Sequence, residues 1–361
     1  MKAVAYRGIA GTAALLGLPI LGVWMAGYPV ERYIEFPPGG LYVEHAPFSW
    51  AVFIVLAMIE AIAIILAFRA GMRGSGTRPP QKSSSFPWWG WAAVAWMAAW
   101  WILAWSRFDW FVSLQMHTFT PLWLAYVVVA NALTYRKTGR CLLTHDSAYL
   151  LKLFPLSAAF WWFFEYLNRF VQNWTYQGIA MFSPLEYFIF ATMSFSTVLP
   201  AVLSTEELLQ AWGVAHRADD RAPGASGRSV RFVLFAISLA GLLFLGVLPN
   251  TLFPLLWLAP LGLLIFIQPL DFFPRVFPTI GTLLRLSIAA LICGFFWEMW
   301  NDHSLAKWIY HVPYVERFRL FEMPILGFFG YLPFGWECAW LAAMISRKYP
   351  RHVQVAPCRE H

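Results

Sequence analysis

The chain has 361 residues, of which 60% are hydrophobic and 12% charged, against roughly a quarter charged in an ordinary soluble domain. That composition excludes a water-soluble globular protein and a disordered chain, and predicts a polytopic helical membrane protein. The net charge of +7 calls for no nucleic-acid partner, because positively charged cytoplasmic loops account for it.

Apolar stretches long enough to cross a hydrocarbon core of ~30 Å run over 8–27, 48–69, 87–106, 119–135, 149–167, 184–204, 230–249, 251–269, 281–300 and 323–345. They predict an all-α fold of about ten transmembrane helices. The first follows Lys2 and Arg7, and its length and lack of a small-x-small cleavage site favour a retained span over a secretory signal. With the N-terminus inside, the outer side keeps only Arg32, Arg107, Arg169, Lys307, Arg317 and Arg319 of the 26 Lys and Arg residues. Both termini are therefore expected in the cytoplasm of a bacterial-type inner (plasma) membrane.

Rare polar residues recur at an offset of 133 positions. Leu150–Asn168 (LLKLFPLSAAFWWFFEYLN) aligns without a gap on Leu283–Asn301 (LLRLSIAALICGFFWEMWN), so that Glu165 and Asn168 fall on Glu298 and Asn301. Upstream, Thr118-x-x-Pro121 parallels Thr251-x-x-Pro254; downstream, Trp174-Thr-Tyr176 parallels Trp308-Ile-Tyr310, and Leu199-Pro200 parallels Leu332-Pro333. These matches predict two unique spans followed by two four-span repeats. An even number of spans per copy makes the copies parallel, related by an axis along the membrane normal. The expected organisation is two N-terminal spans and a linker (1–86), a first repeat (87–215), a cytoplasmic linker (216–229), a second repeat (230–346) and a cytoplasmic tail (347–361). Both linkers are rich in Gly, Pro, Ser and charge.

Spans five and nine run outward, placing Glu165 and Glu298 in the last helical turn at the outer rim. The i, i+3 spacing sets each Asn on the face of its Glu. Read functionally, the two glutamates are a proton donor and acceptor oriented by Asn168 and Asn301, with Trp174, Tyr176, Trp308 and Tyr310 as aromatic walls. Read structurally, the asparagines are left-handed C-caps and the glutamates interfacial residues. After each motif comes a helix start with another acid. Ser183-Pro184-Leu185-Glu186 reads as a capping box. Phe321-Glu322-Met323-Pro324 opens span ten without the Ser, which makes Glu322 a further catalytic candidate. Between them, Asp302 to Arg319 is the densest ionisable cluster, with His303 and His311 as candidate ligand-binding residues.

Two acids lie deeper. Glu60 falls mid-span in span two, and Glu337 follows Gly327, Gly330, Pro333 and Gly335 in span ten. Acids at such depth cost ~2.5 to 3.5 kcal/mol on insertion scales and are functional candidates, or else carboxyls hydrogen-bonded to a neighbouring helix. Of the 21 tryptophans, Trp96 and Trp100 either fill interhelical space or line a cavity for an apolar ligand. No histidine lies mid-span, the four cysteines form no metal-spaced cluster, and no phosphate-binding or hydrolase motif is present. No cofactor or metal is expected.

The stretch Trp174-Thr-Tyr176 followed by Pro184-Leu185-Glu186-Tyr187-Phe188 resembles the Trp-x-aromatic and Pro-Leu-Glu-Glu pattern of the membrane-integral lycopene cyclase domain, with Tyr187 where that family has a second Glu. In that family small helical units isomerise a polyene by proton transfer, and the resemblance implies acid/base roles for acids such as Glu186. The leading expectation is a protein that handles a lipid or isoprenoid ligand at a pseudo-symmetric outer-leaflet site, as an acid/base cyclase or isomerase where it is an enzyme. The alternatives are a proton-coupled transporter using Glu60 and Glu337, and a membrane anchor for a periplasmic protein docking on Asp302 to Arg319. The expected partners are a membrane lipid or apolar small molecule and, in the anchor reading, that periplasmic protein.

Overall fold

The computed structural model describes residues 2–38, 40–77, 84–223, 228–248, 255–268, 272 and 276–346. Thr251 and Pro254, parts of both linkers (78–83 and 224–227) and the tail 347–361 lie outside the described residues. The architecture is nearly all helical: α1 (Lys2–Met25), α2 (Glu31–Ile34), α3 (Trp50–Met72), α4 (Trp88–Trp105), α5 (Phe119–Thr138), α6 (Leu142–His145), α7 (Ser147–Val171), α8 (Pro184–Phe195), α9 (Val198–Ala211), α10 (Arg228–Val247), α11 (Leu255–Ile267), α12 (Ile280–Asp302) and α13 (Tyr331–Ile345).

Over their described residues, eight of the ten apolar stretches fall mainly on a single helix, while 184–204 covers both α8 and α9 and 323–345 is only partly helical. Five helical segments among the described residues are long and apolar enough to cross a membrane, or six when the pair bent by 68° at Thr118 is taken as one. This is the character of a multi-pass helical membrane protein. The last apolar stretch differs from its expected form. Met323–Pro324 is a strand, Ile325–Gly330 a 3-10 helix, and the α-helix starts only at Tyr331. Gly327, Gly330 and Pro333 weaken the α-helical hydrogen-bond ladder there.

Helix α9 lies at the centre. Every residue from Val198 to Glu206 is buried, and the helix packs against α5, α7, α12 and α13. Trp123, Phe164, Leu199, Trp300, Phe334 and Trp340 fill the space between them and are fully buried. To one side, α1, α10 and α11 pack together. Gly22 and Gly246 permit that approach, since a Cβ on Gly246 would stand 2.1 Å from the Pro19 carbonyl oxygen. Small residues at such crossings let backbones meet.

The helices α7 and α12 both end at the same end of the bundle, where β1 (Trp174–Gln177) pairs antiparallel with β2 (Lys307–Tyr310). A second, two-residue pairing joins β3 (Arg319–Leu320) to β4 (Met323–Pro324). The opposite end is fastened by ions. Arg285, 2% exposed, donates from Nε to Glu206 at 3.0 Å and from Nη1 to Asp219 at 2.9 Å.

Candidate functional site

The two Glu-x-x-Asn segments make the same backbone connection. Asn168 Nδ2 donates to the Trp174 carbonyl at 2.8 Å and its Oδ1 accepts from the Trp174 N–H at 3.3 Å. Asn301 does the same to Trp308, at 2.7 and 2.9 Å. Each asparagine thus clamps the strand that follows its helix, and neither orients its glutamate. Neither is a left-handed cap: the non-glycine residues with positive φ among the described residues are Gln172, Ala215, Tyr314, Phe318 and Phe321. Gln172 caps α7 and its side-chain oxygen accepts from the N–H groups of Tyr42 and Val43 at 2.7 and 2.8 Å. Because α7 runs on to Val171, Glu165 sits more than one turn inside the helix rather than in its last turn.

Removing one clamp tests its role. Asn301→Ala is expected to cost about 1–3 kcal/mol, the penalty of orphaned buried polar groups, and to speed amide exchange at Trp308. Unchanged exchange at Trp308 would show that the strand is held by other contacts.

The strand register is symmetric with respect to the two segments. Trp174 pairs with Tyr310 and Tyr176 with Trp308, while Thr175 faces Ile309. Exchanging each residue for its counterpart in the other segment returns the same pairing. The clamps therefore bring Tyr176 and Tyr310, with the neighbouring tryptophans, to one shared place.

That place is a cavity of about 150 Å³, walled by Trp161, Trp174, Tyr176, Trp257, Trp297, Trp308, Tyr310 and Tyr331 among other apolar residues. Glu165 and Glu298 stand behind this wall, 7% and 0% exposed. Oε1 of Glu165 accepts from Trp161 Nε1 and Trp174 Nε1, each at 3.0 Å, and from the Tyr176 hydroxyl at 2.5 Å. Oε1 of Glu298 accepts from the hydroxyls of Tyr310 at 2.7 Å and Tyr331 at 2.6 Å. The Tyr310 oxygen in turn accepts from Trp308 Nε1 at 3.0 Å. Oε2 of Glu298 is buried without a partner among the described residues. Burial first, and then the adjoining carboxyl, push the phenols of Tyr176 and Tyr310 well above their ordinary range. Both phenols keep their protons and donate.

The two halves reach this common result by different residues. Position 294, the counterpart of Trp161, is Gly294, and a Cβ there would lie 2.4 Å from the Tyr331 ring. The missing side chain makes room for Tyr331, whose hydroxyl occupies the donor role that the Trp161 indole has on Glu165. Sequence reading missed Trp161, Trp257, Trp297 and Tyr331. A Gly aligned with Trp161 was the available signal.

The remaining predicted residues lie elsewhere. Glu322 occupies the turn between β3 and β4 rather than a helix start, and its carboxylate pairs with Lys307 and Arg319. Lys307 itself reaches the cavity wall, so Glu322 neutralises a lining residue. Glu186 is exposed and completes the capping box, accepting from the Ser183 N–H at 2.8 Å. His303 packs edge-on against Trp105. His311 stacks on His45, with ring centroids 5.6 Å apart, and contacts Thr175 at 3.0 Å. Burial, with His45 adding, holds its pKa below the ordinary value and keeps it neutral near pH 7. None of these three is on the cavity wall.

Glu60 is half-buried on the body-facing side of α3. Glu337 is fully buried, its carboxyl facing the backbone N–H of Leu261 on α11. Trp96 and Trp100 pack on each other and neither lines the cavity. Among the described residues no three His, Cys, Asp or Glu side chains converge as metal ligands. No known protein family, no curated protein and no solved structure matches this chain.

Proposed function

We propose that this is a ten-span inner-membrane protein, two unique spans plus two parallel four-span repeats, that takes a lipid- or isoprenoid-class molecule into the aromatic cavity on its outer side. The observation that carries the reading is the pair of buried carboxyls, each hydrogen-bonded to phenols on the wall of a single apolar cavity. Ligand sites combine apolar walls with a few convergent polar groups in this way. The duplicated clamp and the symmetric strand register support the repeat, and Lys and Arg placement supports the orientation.

In such a site the groups that touch a ligand are the phenols. Tyr176 and Tyr310 present hydroxyls whose protons are shared with Glu165 and Glu298. In an isomerisation or cyclisation, one pair would start with its carboxyl protonated and the other ionised. The phenol of the first turns its O–H to a ligand double bond, passes that proton and takes the carboxyl proton in its place. The other pair would receive the proton lost from the product, so that no net proton is consumed. The two carboxyls thereby act through the tyrosines rather than directly.

The test is lipid extraction and mass spectrometry of cells producing wild type or the Glu165→Gln/Glu298→Gln double variant. The variant is expected to accumulate one apolar species and lose another. An unchanged lipid and pigment profile at normal protein level would remove the enzyme reading. A second reading, a proton-coupled transporter, is favoured by the fully buried carboxyl of Glu337, which has no ion-pair partner among the described residues.

A further inference from the structure

From the hydrogen bonds behind the cavity wall we infer that the cavity selects a ligand with a soft cationic head, a quaternary ammonium group being the type, seated among the aromatic rings. The inference rests on the reading of this cavity as a ligand site and specifies what it binds.

Five of the wall aromatics are turned in one sense. Trp161 and Trp174 direct their N–H edges to Glu165, and Tyr176, Tyr310 and Tyr331 direct their hydroxyls to Glu165 or Glu298. With the N–H and O–H hydrogens of these five residues given to carboxyls, what they offer the cavity is ring carbon and phenol oxygen. A cation within about 6 Å of such ring centres is attracted, and more strongly where water is excluded. The rings are close enough to act together, with Trp161 and Trp297 6.5 Å apart and Trp297 and Tyr331 5.8 Å apart, centroid to centroid.

Charge balance points the same way. Among the described residues neither Glu165 nor Glu298 has an ion-pair partner, although both are buried. Lys307 is the basic residue of the wall, and its ammonium is bound to Glu322 and to the Asp302 carbonyl. The cavity is thus backed by two carboxyls, and its wall offers no free cation among the described residues. An anion entering it would meet ring carbon and phenol oxygens backed by carboxyls, and a strongly hydrated ammonium would lose its water with few acceptors on the wall to replace it. A quaternary ammonium forms no hydrogen bonds and is weakly hydrated, so the apolar wall costs it little. The volume of about 150 Å³ matches a void that holds a benzene-sized group, the scale of a trimethylammonium head.

The experiment compares two probes that differ only in charge: decyltrimethylammonium and its neutral isostere ending in a tert-butyl group. Binding to the full chain in neutral maltoside micelles is measured by calorimetry, with the same micelles lacking protein as reference. The cationic probe is expected to bind roughly tenfold or more tighter than the isostere. Trp297→Leu should abolish that preference and Trp297→Phe should retain part of it. Equal binding of the two probes would overturn the cation inference and leave the cavity as an apolar ligand site. Tighter binding of the neutral probe would do the same. Binding of neither, by protein with a wild-type thermal transition, would overturn the inference and the ligand-site reading together.

Discussion

Arg285→Met is expected to destabilise the protein by about 3–5 kcal/mol, the cost of removing one partner from a buried ion pair. The guanidinium is 2% exposed and donates to Glu206 from Nε at 3.0 Å, to both oxygens of Asp219 from Nη1 at 3.0 and 2.9 Å, and to Thr282 from Nη2 at 3.2 Å. Methionine would fill the space and leave Glu206, on the central helix, as a buried charge without a counter-ion. Asp219 is about one-third exposed and keeps Thr279 as a donor at 2.8 Å, so Glu206 carries most of the loss. Arg285→Met/Glu206→Leu should therefore recover most of the stability, because removing both partners avoids the orphaned charge. Arg285→Lys keeps the charge but lacks the fork that spans two carboxylates, and should fall between. Unfolding in mild detergent reads all three variants. An Arg285→Met protein within 1 kcal/mol of wild type would show that the network carries no net load.

This network shows where the sequence was silent. Arg285 lies 79 positions from Glu206 and 66 from Asp219, and pairings at such range leave no local period to read. Features with a period were legible: most of the apolar stretches land on helices, and Ser183 with Glu186 forms the capping box its spacing predicts. The Glu-x-x-Asn repeat located the cavity but misled on the division of labour. Its i, i+3 spacing suggested that Asn serves Glu, whereas Asn168 reaches forward to Trp174 and Asn301 to Trp308. A side chain near a helix end can bind backbone beyond that end, and spacing within the helix does not distinguish the two cases. Glu322 was misplaced for a related reason. Proline at 324 suits the first turn of a helix, but here the positive φ of Phe321 turns the chain into a hairpin instead.

The exchange of Trp161 for Gly294 permits a sharper test of how the two halves hold their carboxyls. Gly294→Trp alone is expected to cost more than roughly 3 kcal/mol, at the upper end of overpacking penalties, because any Cβ at 294 lies 2.4 Å from the Tyr331 ring and both sit on packed helices. The variant should also lose the hydrogen bond from Tyr331 to Glu298. Adding Tyr331→Ala empties the space that the new indole needs, and it transfers to α12 the arrangement found on α7, where Trp161 Nε1 donates to Glu165 four residues on. The pair Gly294→Trp/Tyr331→Ala exchanges one aromatic for another of similar bulk in the same void, a class of change that usually costs less than about 1.5 kcal/mol. Thermal unfolding should accordingly place the double variant above Gly294→Trp and above Tyr331→Ala, which alone leaves a cavity beside Glu298 worth about 3–5 kcal/mol. Such mutual rescue arises only if the two side chains compete for one space and one carboxyl oxygen. Additive losses in the double variant would mean that Gly294 and Tyr331 contribute independently, and that the resemblance between the two carboxyl settings does not extend to their donors.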